Sequence, residues 1–256
     1  MKKIAHIINV VEDKPGNPSY LNIAQPITIE SMVRAKKYAK SVDVELYSVQ
    51  AGHEKQRELP PEFTVLPPLL KDVTHFKDFK DPIKRLPRIY DILLSLYIHS
   101  DAQWFVYTNV DIGVHPHFYG RLLDIINKGH DAACINRRDI PKRHKGVEST
   151  LENLDQIYKM PGQHHGGKDC FLFPRAMFPK FNFRNMVIGY PPIGTQIRDE
   201  IKRHSRNFLW IRNGCQDRLT FHIGRDEDWR KGSKWDRGNL VRPAGGGALA
   251  HNLGEQ

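Results

Sequence analysis

Cysteine is scarce in this chain: Cys134, Cys170 and Cys215 are odd in number and far apart. Three such thiols build no disulfide framework and no CxxC metal knuckle, so the sequence fits a reducing compartment with its thiols in the core. Long apolar runs are also missing. Nothing approaches the ~18 consecutive apolar residues of a membrane span. The opening Met1 to Val11 has a basic start, but its apolar stretch is short, carries His6 and Asn9, and reaches Glu12 without a small-residue cleavage pattern. It reads as a buried first strand rather than a signal peptide, and the protein as cytoplasmic. HExxH, GxSxG and GxGxxG do not occur, which removes the usual zinc-protease, serine-hydrolase and dinucleotide signatures. Gly166-Gly167-Lys168 lacks the spacing and the Ser/Thr of a Walker loop. Thirteen histidines do not amount to a structural zinc site: His164 and His165 are adjacent and diverge, and His115 and His117 lack a third partner at ligand spacing.

What is present is a globular composition. Hydrophobic residues make up 39% and aromatics 10% of 256 residues, enough for one large domain with a proper core. Thirty-nine Lys and Arg against twenty-nine Asp and Glu leave a net charge of +10, which favours anionic partners without naming one.

The order of elements is that of an α/β layer. Residues 4–11 read as a central parallel strand, 12–22 as a loop, 26–41 as a helix with Pro26 in its first turn, and 43–49 as a second strand. FTVL at 63–66 is a short strand between prolines. Residues 83–99 are periodic as a helix. Trp104 to Tyr107 is a strand of strong β-formers, followed by helix 116–128, strand 131–136 and the basic loop 137–145, which carries five basic residues and one acid. A short helix at 151–160, a glycine-rich turn at 161–167, a strand at 168–173, helical turns at 175–181, a helix at 192–206 and late strands at 208–211 and 219–223 complete the reading. The expected fold is a mostly parallel central sheet flanked by helices, a single domain over 1–241 with a flexible glycine-rich tail over 242–256.

Three constellations bear on chemistry. Asn109-Val110-Asp111 sits where the 104–107 strand ends, and ligands bind open α/β sheets just beyond the carboxyl ends of strands. Alternation would aim residues 109 and 111 to one side, presenting oxygen to a hard divalent ion or to a sugar; a polar pair that merely caps the strand is the other reading. Gly166-Gly167-Lys168-Asp169 lets backbone approach a ligand, with Asp169 either capping a turn or meeting a substrate hydroxyl. Gly189-Tyr-Pro-Pro-Ile-Gly194 is a rigid corner before a helix start.

The run from Lys84 through Asp111, KRLPRIYDILLSLYIHSDAQWFVYTNVD, resembles the central segment of nucleotide-sugar glycosyltransferases of the A fold, of glycogenin-like and bacterial galactosyltransferase-like type. In them a basic residue and a helix precede an apolar strand ending in Asp-x-Asp. Thr220-Phe-His-Ile-Gly224 with Trp229 is similar to their His-x-x-Gly…Trp element, one residue out in spacing. The resemblance implies that Asp111 and His222 hold Mn²⁺ or Mg²⁺ on the donor diphosphate, with Asn109 replacing the first aspartate as a neutral, weaker ligand. It implies that Arg85, or Lys84 or Arg88, faces the nucleotide or its phosphates, where charge gathers on the leaving group. Asn9 and Val10, ending the first strand, are placed to meet the base. Asp169 is the expected catalytic carboxylate, orienting or deprotonating the acceptor hydroxyl. The partners are then a nucleotide-sugar donor and a carbohydrate or other hydroxyl acceptor.

A rival from another class is a nucleic-acid-binding or scaffold protein using segments 137–145 and 198–242. In the latter, twelve Lys/Arg and seven acids are interleaved with Phe208, Trp210, Trp229 and Trp235, a mixture suited to stacking on single strands. No RNP or helix-turn-helix pattern accompanies it.

Overall fold

The computed structural model describes residues 1–12, 21–76, 85–183, 186–189 and 192–224. The first apolar run forms strand β1, Lys3–Asn9. Its alternation serves two cores at once: Ile4 and Ile8 point to one face of the sheet, Ala5 and Ile7 to the other, the pattern of a strand covered on both sides. Helix α1 (Leu21–Tyr38) and strands β2 (Asp43–Val49) and β3 (Phe63–Val65) follow. Helix α2 is Ile89–His99, then β4 is Trp104–Thr108, β5 Ile112–Val114 and α3 Phe118–Asn127. Strand β6 is Ala132–Ile140, and the hairpin β7–β8 pairs Arg143–His144 with Val147–Glu148. Lys145 and Gly146 both have positive φ, 48° and 84°, as a two-residue turn of primed type needs. The rest is α4 (Leu154–Lys159), β9 (Gln163–Pro174), α5 (Ile193–His204), β10 (Phe208–Ile211), α6 (Gly214–Asp217) and β11 (Thr220–Ile223).

Among the described residues nine strands form one sheet in the order β3-β2-β1-β4-β9-β6-β11-β5, with β10 also pairing β6. The β1–β2, β1–β4, β2–β3, β6–β10 and β6–β11 pairs are parallel. The β4–β9, β6–β9 and β5–β11 pairs are antiparallel. The sheet is thus mostly parallel but mixed. Helices α1 and α3 cover one face through Ile29, Met32, Val33, Phe118, Leu122 and Ile125. Helices α2 and α5 cover the other through Ile89, Ile92, Leu96, Ile197 and Ile201. No helix among the described residues is long and apolar enough to cross a membrane.

Four boundaries differ from the sequence expectation. Helix α1 begins five residues before 26, so Pro26 lies inside it, in the second turn, where a proline has no N–H to donate to the carbonyl four residues back. Helix α2 starts only at Ile89, after Pro87, with Arg88 extended at φ −85°, ψ 147°. The expected turn at 161–167 is mostly strand: β9 reaches back to Gln163 and pairs with β6 through two register shifts. Most consequentially, Arg137, Arg138 and Asp139 are not in a solvated loop. They extend β6 and are 7%, 1% and 9% exposed. The glycine-rich segment 242–256, expected to be flexible, lies outside the described residues, as do Trp229 and Trp235.

Candidate active site

Strand register alone assembles the central cluster. In the β5–β11 ladder Ile112 lies opposite His222, so Asp111, one residue earlier, arrives beside that histidine. In the β6–β11 ladder His222 lies opposite Asp139. Directly opposed residues share a face and meet. His222 accordingly stands between two carboxylates: Nε2 is 3.5 Å from Asp111 Oδ2 and Nδ1 is 3.5 Å from Asp139 Oδ1. Gly224 O is 3.3 Å from the same Nδ1. The structure therefore brings Asp111 and His222 together, although 111 residues separate them in sequence.

A second branch runs through Arg137. Residues i and i+2 of a strand share a face, and Arg137 Nε donates to Asp139 Oδ1 at 2.9 Å. Its Nη1 reaches across to Asp169 Oδ2 at 3.0 Å. Asp169 closes the circuit, because Asn109 Nδ2 donates to its other oxygen at 3.1 Å. The Tyr107 hydroxyl donates to Asn109 Oδ1 at 3.0 Å. Four strands and one turn thus contribute seven polar side chains to a single connected group among the described residues.

The charges answer to that packing. Burial pushes the Asp111 and Asp139 carboxyls up, but the hydrogen bonds to His222, with Arg137 beyond, bring both below the usual carboxylate range. Burial would lower the His222 imidazole; Asp111 and Asp139 outweigh it and hold the ring at about 9. Asp169 is the exception: burial raises it above the ordinary value, and Asp111 adds to the effect while Arg137 opposes it. Burial likewise keeps the Tyr107 phenol protonated, as its role of donor to Asn109 requires.

Several expected residues are placed differently. Asn109 and Asp111 do not alternate on a strand; they flank a tight turn closed by Ile112 N donating to Asn109 O at 3.1 Å. Asn109 spends both ends of its amide inside the protein, so it is a brace between Tyr107 and Asp169 and not a third oxygen beside Asp111. Asn9 Nδ2 and Val10 N both donate to Val49 O, and the Val10 side chain is buried in the core. Both side chains stabilise the end of β1 and present nothing outward. Arg85 Nε donates to the buried Asp72 at 2.8 Å while its side chain stays 53% exposed. Arg88 is spent at the start of α2, paired through two nitrogens with Asp91 and stacked 3.5 Å from the Phe76 ring. Lys84 lies outside the described residues. The sequence reading missed Tyr107 and Asp139 as site residues, and treated Arg137 only as one charge in a basic loop. Their signal was the spacing Arg137-x-Asp139 directly after the apolar run AACIN, legible once a strand is allowed to carry paired charges.

Whether this donor set suits a divalent ion can be judged from its geometry. An octahedral ion with bonds of roughly 2.1 Å places neighbouring ligands roughly 3 Å apart, near the Asp111–His222 separation. Metal-binding histidines typically direct their second nitrogen to a carboxylate or carbonyl, as His222 does with Asp139 and Gly224. No group of three His, Cys, Asp or Glu side chains arranged for a metal occurs among the described residues. The fit is that of a two-ligand site completed by substrate oxygens and water.

Compared by sequence, the chain matches no protein-family model and no curated protein. Compared by structure, it resembles Staphylococcus aureus TarS 1–349 solved with UDP-GlcNAc, with a TM-score of 0.50 and 10% identity over 88% of this chain. The same TarS fragment without the sugar nucleotide gives a TM-score of 0.51, also at 10% identity, over 87% of this chain. The fold is the glycosyltransferase A fold. This chain spans 59% and 60% of those two TarS chains. Mycobacterium tuberculosis glucosyl-3-phosphoglycerate synthase, in complex with Mn²⁺, UDP and phosphoglyceric acid, overlaps less well, with a TM-score of 0.46 and 12% identity over 90% of this chain and 74% of its own. Within the A fold the Asp111–His222–Asp139 row lies at the carboxyl-terminal ends of the parallel strands, the rim where open α/β sheets receive ligands.

Proposed function

We propose that this protein is a glycosyltransferase that moves a sugar from a nucleotide-diphosphate sugar to the hydroxyl of an acceptor. The observation that carries the reading is the pairing of Asp111 with His222, backed by Asp139, at the ligand-binding rim of an A-type fold. Asp111 and His222 would hold Mn²⁺ or Mg²⁺. Bound there, the ion would neutralise the negative charge that collects on the departing diphosphate. Asp139 fixes the imidazole with Nε2 facing Asp111 and leaves that nitrogen free to bind once its proton is lost. Arg137 ties Asp139 to Asp169, so the ion-binding and acceptor sides move as one unit. Among the described residues of the 84–88 segment, half-exposed Arg85 would be the cation to meet a phosphate.

Asp169 would orient the acceptor hydroxyl and take its proton. Its raised pKa makes it a stronger base than an ordinary carboxylate, and Arg137 and Asn109 fix both of its oxygens. Substitution of Asp169 by Asn should then lower transfer by a factor of roughly 10²–10⁴ with little change in donor binding.

The choice of donor is open to direct test, and uridine nucleotides are the first to try given the UDP-GlcNAc in TarS. A thermal-shift panel of UDP-, GDP-, CMP- and dTDP-sugars, with and without Mn²⁺, should show one nucleotide raising the melting temperature, and more so with the ion. A flat response across the panel would remove the basis for the reading.

Nucleic-acid binding has less support. Of the basic segment 137–145, Arg137 and Arg138 are buried and unavailable to a phosphate backbone.

A further inference from the structure

A second group of charges, beside the first, is used by none of the steps above. Trp210, on β10, is fixed by its indole Nε1 donating to Asn136 Oδ1 at 2.9 Å. Three cations surround its ring. Arg212 Cζ lies 4.2 Å from the centroid, Arg198 Cζ 4.5 Å and Lys168 Nζ 5.6 Å. Arg198 also pairs with Asp199. Among the described residues Lys168 and Arg212 meet no carboxylate; the Lys168 ammonium donates only to the Gly166 carbonyl, at 3.2 Å. Three like charges held within one ring's reach repel each other, and an attraction of about 0.5–1 kcal/mol per exposed cation–π contact only partly offsets that. A guanidinium held over an aromatic ring retains its N–H fork for a planar oxyanion.

This group adjoins Asp169. Lys168 precedes it on β9 and lies opposite Asn136 in the β6–β9 ladder. The buried Cys134 thiol, raised first by burial, responds to Asp169 as well as to Arg198 and Lys168, so both charge groups act at one place under α5. The backbone there is closely fitted: a Cβ on Gly194, in the first turn of α5, would collide with the Lys168 carbonyl. An acceptor that carried negative charge toward Asp169 would be repelled by that carboxylate unless cations stood alongside to receive it.

We propose that Trp210, with Lys168, Arg198 and Arg212, forms an acceptor subsite for a carbohydrate bearing an anionic group, phosphate or carboxylate. The subsite's role as acceptor pocket rests on the transferase reading; its affinity for an anionic sugar does not. Arg212 grips the anion through its fork, Lys168 and the Asp199-held Arg198 add positive charge, and the indole holds the three in place while the sugar extends toward Asp169.

Titration calorimetry on the full chain tests both layers separately. UDP with Mn²⁺ is titrated first. Glucose 6-phosphate, glucuronate, glucose and inorganic phosphate are then titrated into the protein, with and without UDP. Glucose 6-phosphate or glucuronate should bind at least tenfold more tightly than glucose, and which of the two prevails separates a phosphate-reading site from a carboxylate-reading one. Lys168→Met with Arg212→Met, which keeps the apolar stems and breaks no ion pair, should abolish that preference and leave UDP affinity within twofold. A wild-type protein that binds both anionic sugars no better than glucose overturns the proposal, as does a double variant that keeps the preference. Failure of UDP to bind would remove the donor reading and the acceptor role with it, and the anion site would then stand or fall on the sugar-phosphate and uronate titrations.

Discussion

Asp139 shows how far one carboxylate reaches. It contacts His222 from one side and Arg137 from the other, so Asp139→Asn should weaken the hold on His222 and leave Arg137 to its pair with Asp169, without touching a ligand itself. Residues behind a metal-bound histidine typically contribute 10–100-fold to metal affinity; a loss of that size in Mn²⁺-dependent UDP binding is expected, with UDP binding in the absence of metal unchanged. Buried histidines set the acid limit of the fold. His6 lies between the Tyr119 and Thr108 hydroxyls at 2.9 Å each and burial lowers it to about 3; His115 beside Arg138 is also brought to about 3, by burial first and then by Arg138. Both are neutral when folded, whereas the unfolded chain takes up a proton near pH 6.5. Between those values the unfolded state binds more protons, so stability falls as pH falls. From pH 7 to 5 the loss is about 2 kcal/mol for each. His222 works in the opposite sense, since its pKa is raised to about 9: its contribution is complete below 6.5, is lost as pH climbs through 9, and returns somewhat under 1 kcal/mol over the same acid interval. The unfolding free energy of the metal-free protein, measured in urea, should therefore drop by a net of about 3 kcal/mol from pH 7 to 5, and by only about 1 kcal/mol in His6→Gln. A midpoint independent of pH would contradict neutral burial of these rings.

Strand β11 is the element on which the site depends, and its seat is narrow. Gly113 of β5 lies so close to the Phe221 ring that an added Cβ would enter it. Gly113→Ala should cost about 1–3 kcal/mol through overpacking, and should weaken Mn²⁺-dependent UDP binding as well, because any shift of β11 carries His222 away from Asp111. An alanine variant of full stability and affinity would show that β11 tolerates displacement. The elements themselves were largely legible beforehand. Residues 43–49 announce β2 by alternation, and 208–211 announce β10 by β-branched and aromatic content. The carboxyl end of β6 was not legible, because Arg137-Arg138-Asp139 carries charge where a strand interior is expected to be apolar. Beyond the Arg137–Asp139 bond itself, the partners that make burial of those side chains tolerable are Asp169, His222, His115 and the Met160 carbonyl, and none of these is near in sequence. The turn at 109–111 was misread for a related reason: alternation was carried to Asp111, past the true end of β4 at Thr108.

For the molecule as a whole, the excess of ten positive charges is a poor guide to partners. Part of it is internal, and part surrounds Trp210. Binding to a single-stranded oligonucleotide should stay within the non-specific range of about 10⁻⁴–10⁻⁶ M at physiological salt and vanish as salt rises; sub-micromolar affinity that survives salt would favour the rival class. The fold was readable from element order, and the likeness to A-type transferases from a few residues around Asp111 and His222. What no pattern disclosed was the arrangement of β5, β11 and β6 side by side, since that depends on pairing across 111 residues between Asp111 and His222.

The decisive measurement is calorimetric titration of UDP into the full chain with and without Mn²⁺, on wild type, Asp111→Ala and His222→Ala. Wild type should bind UDP at least tenfold more tightly with Mn²⁺, and each variant should lose that dependence while melting cooperatively. Equal UDP affinity with and without the ion in wild type, or an undiminished Mn²⁺ effect in both variants, would contradict the pairing of Asp111 and His222 as the donor-diphosphate site.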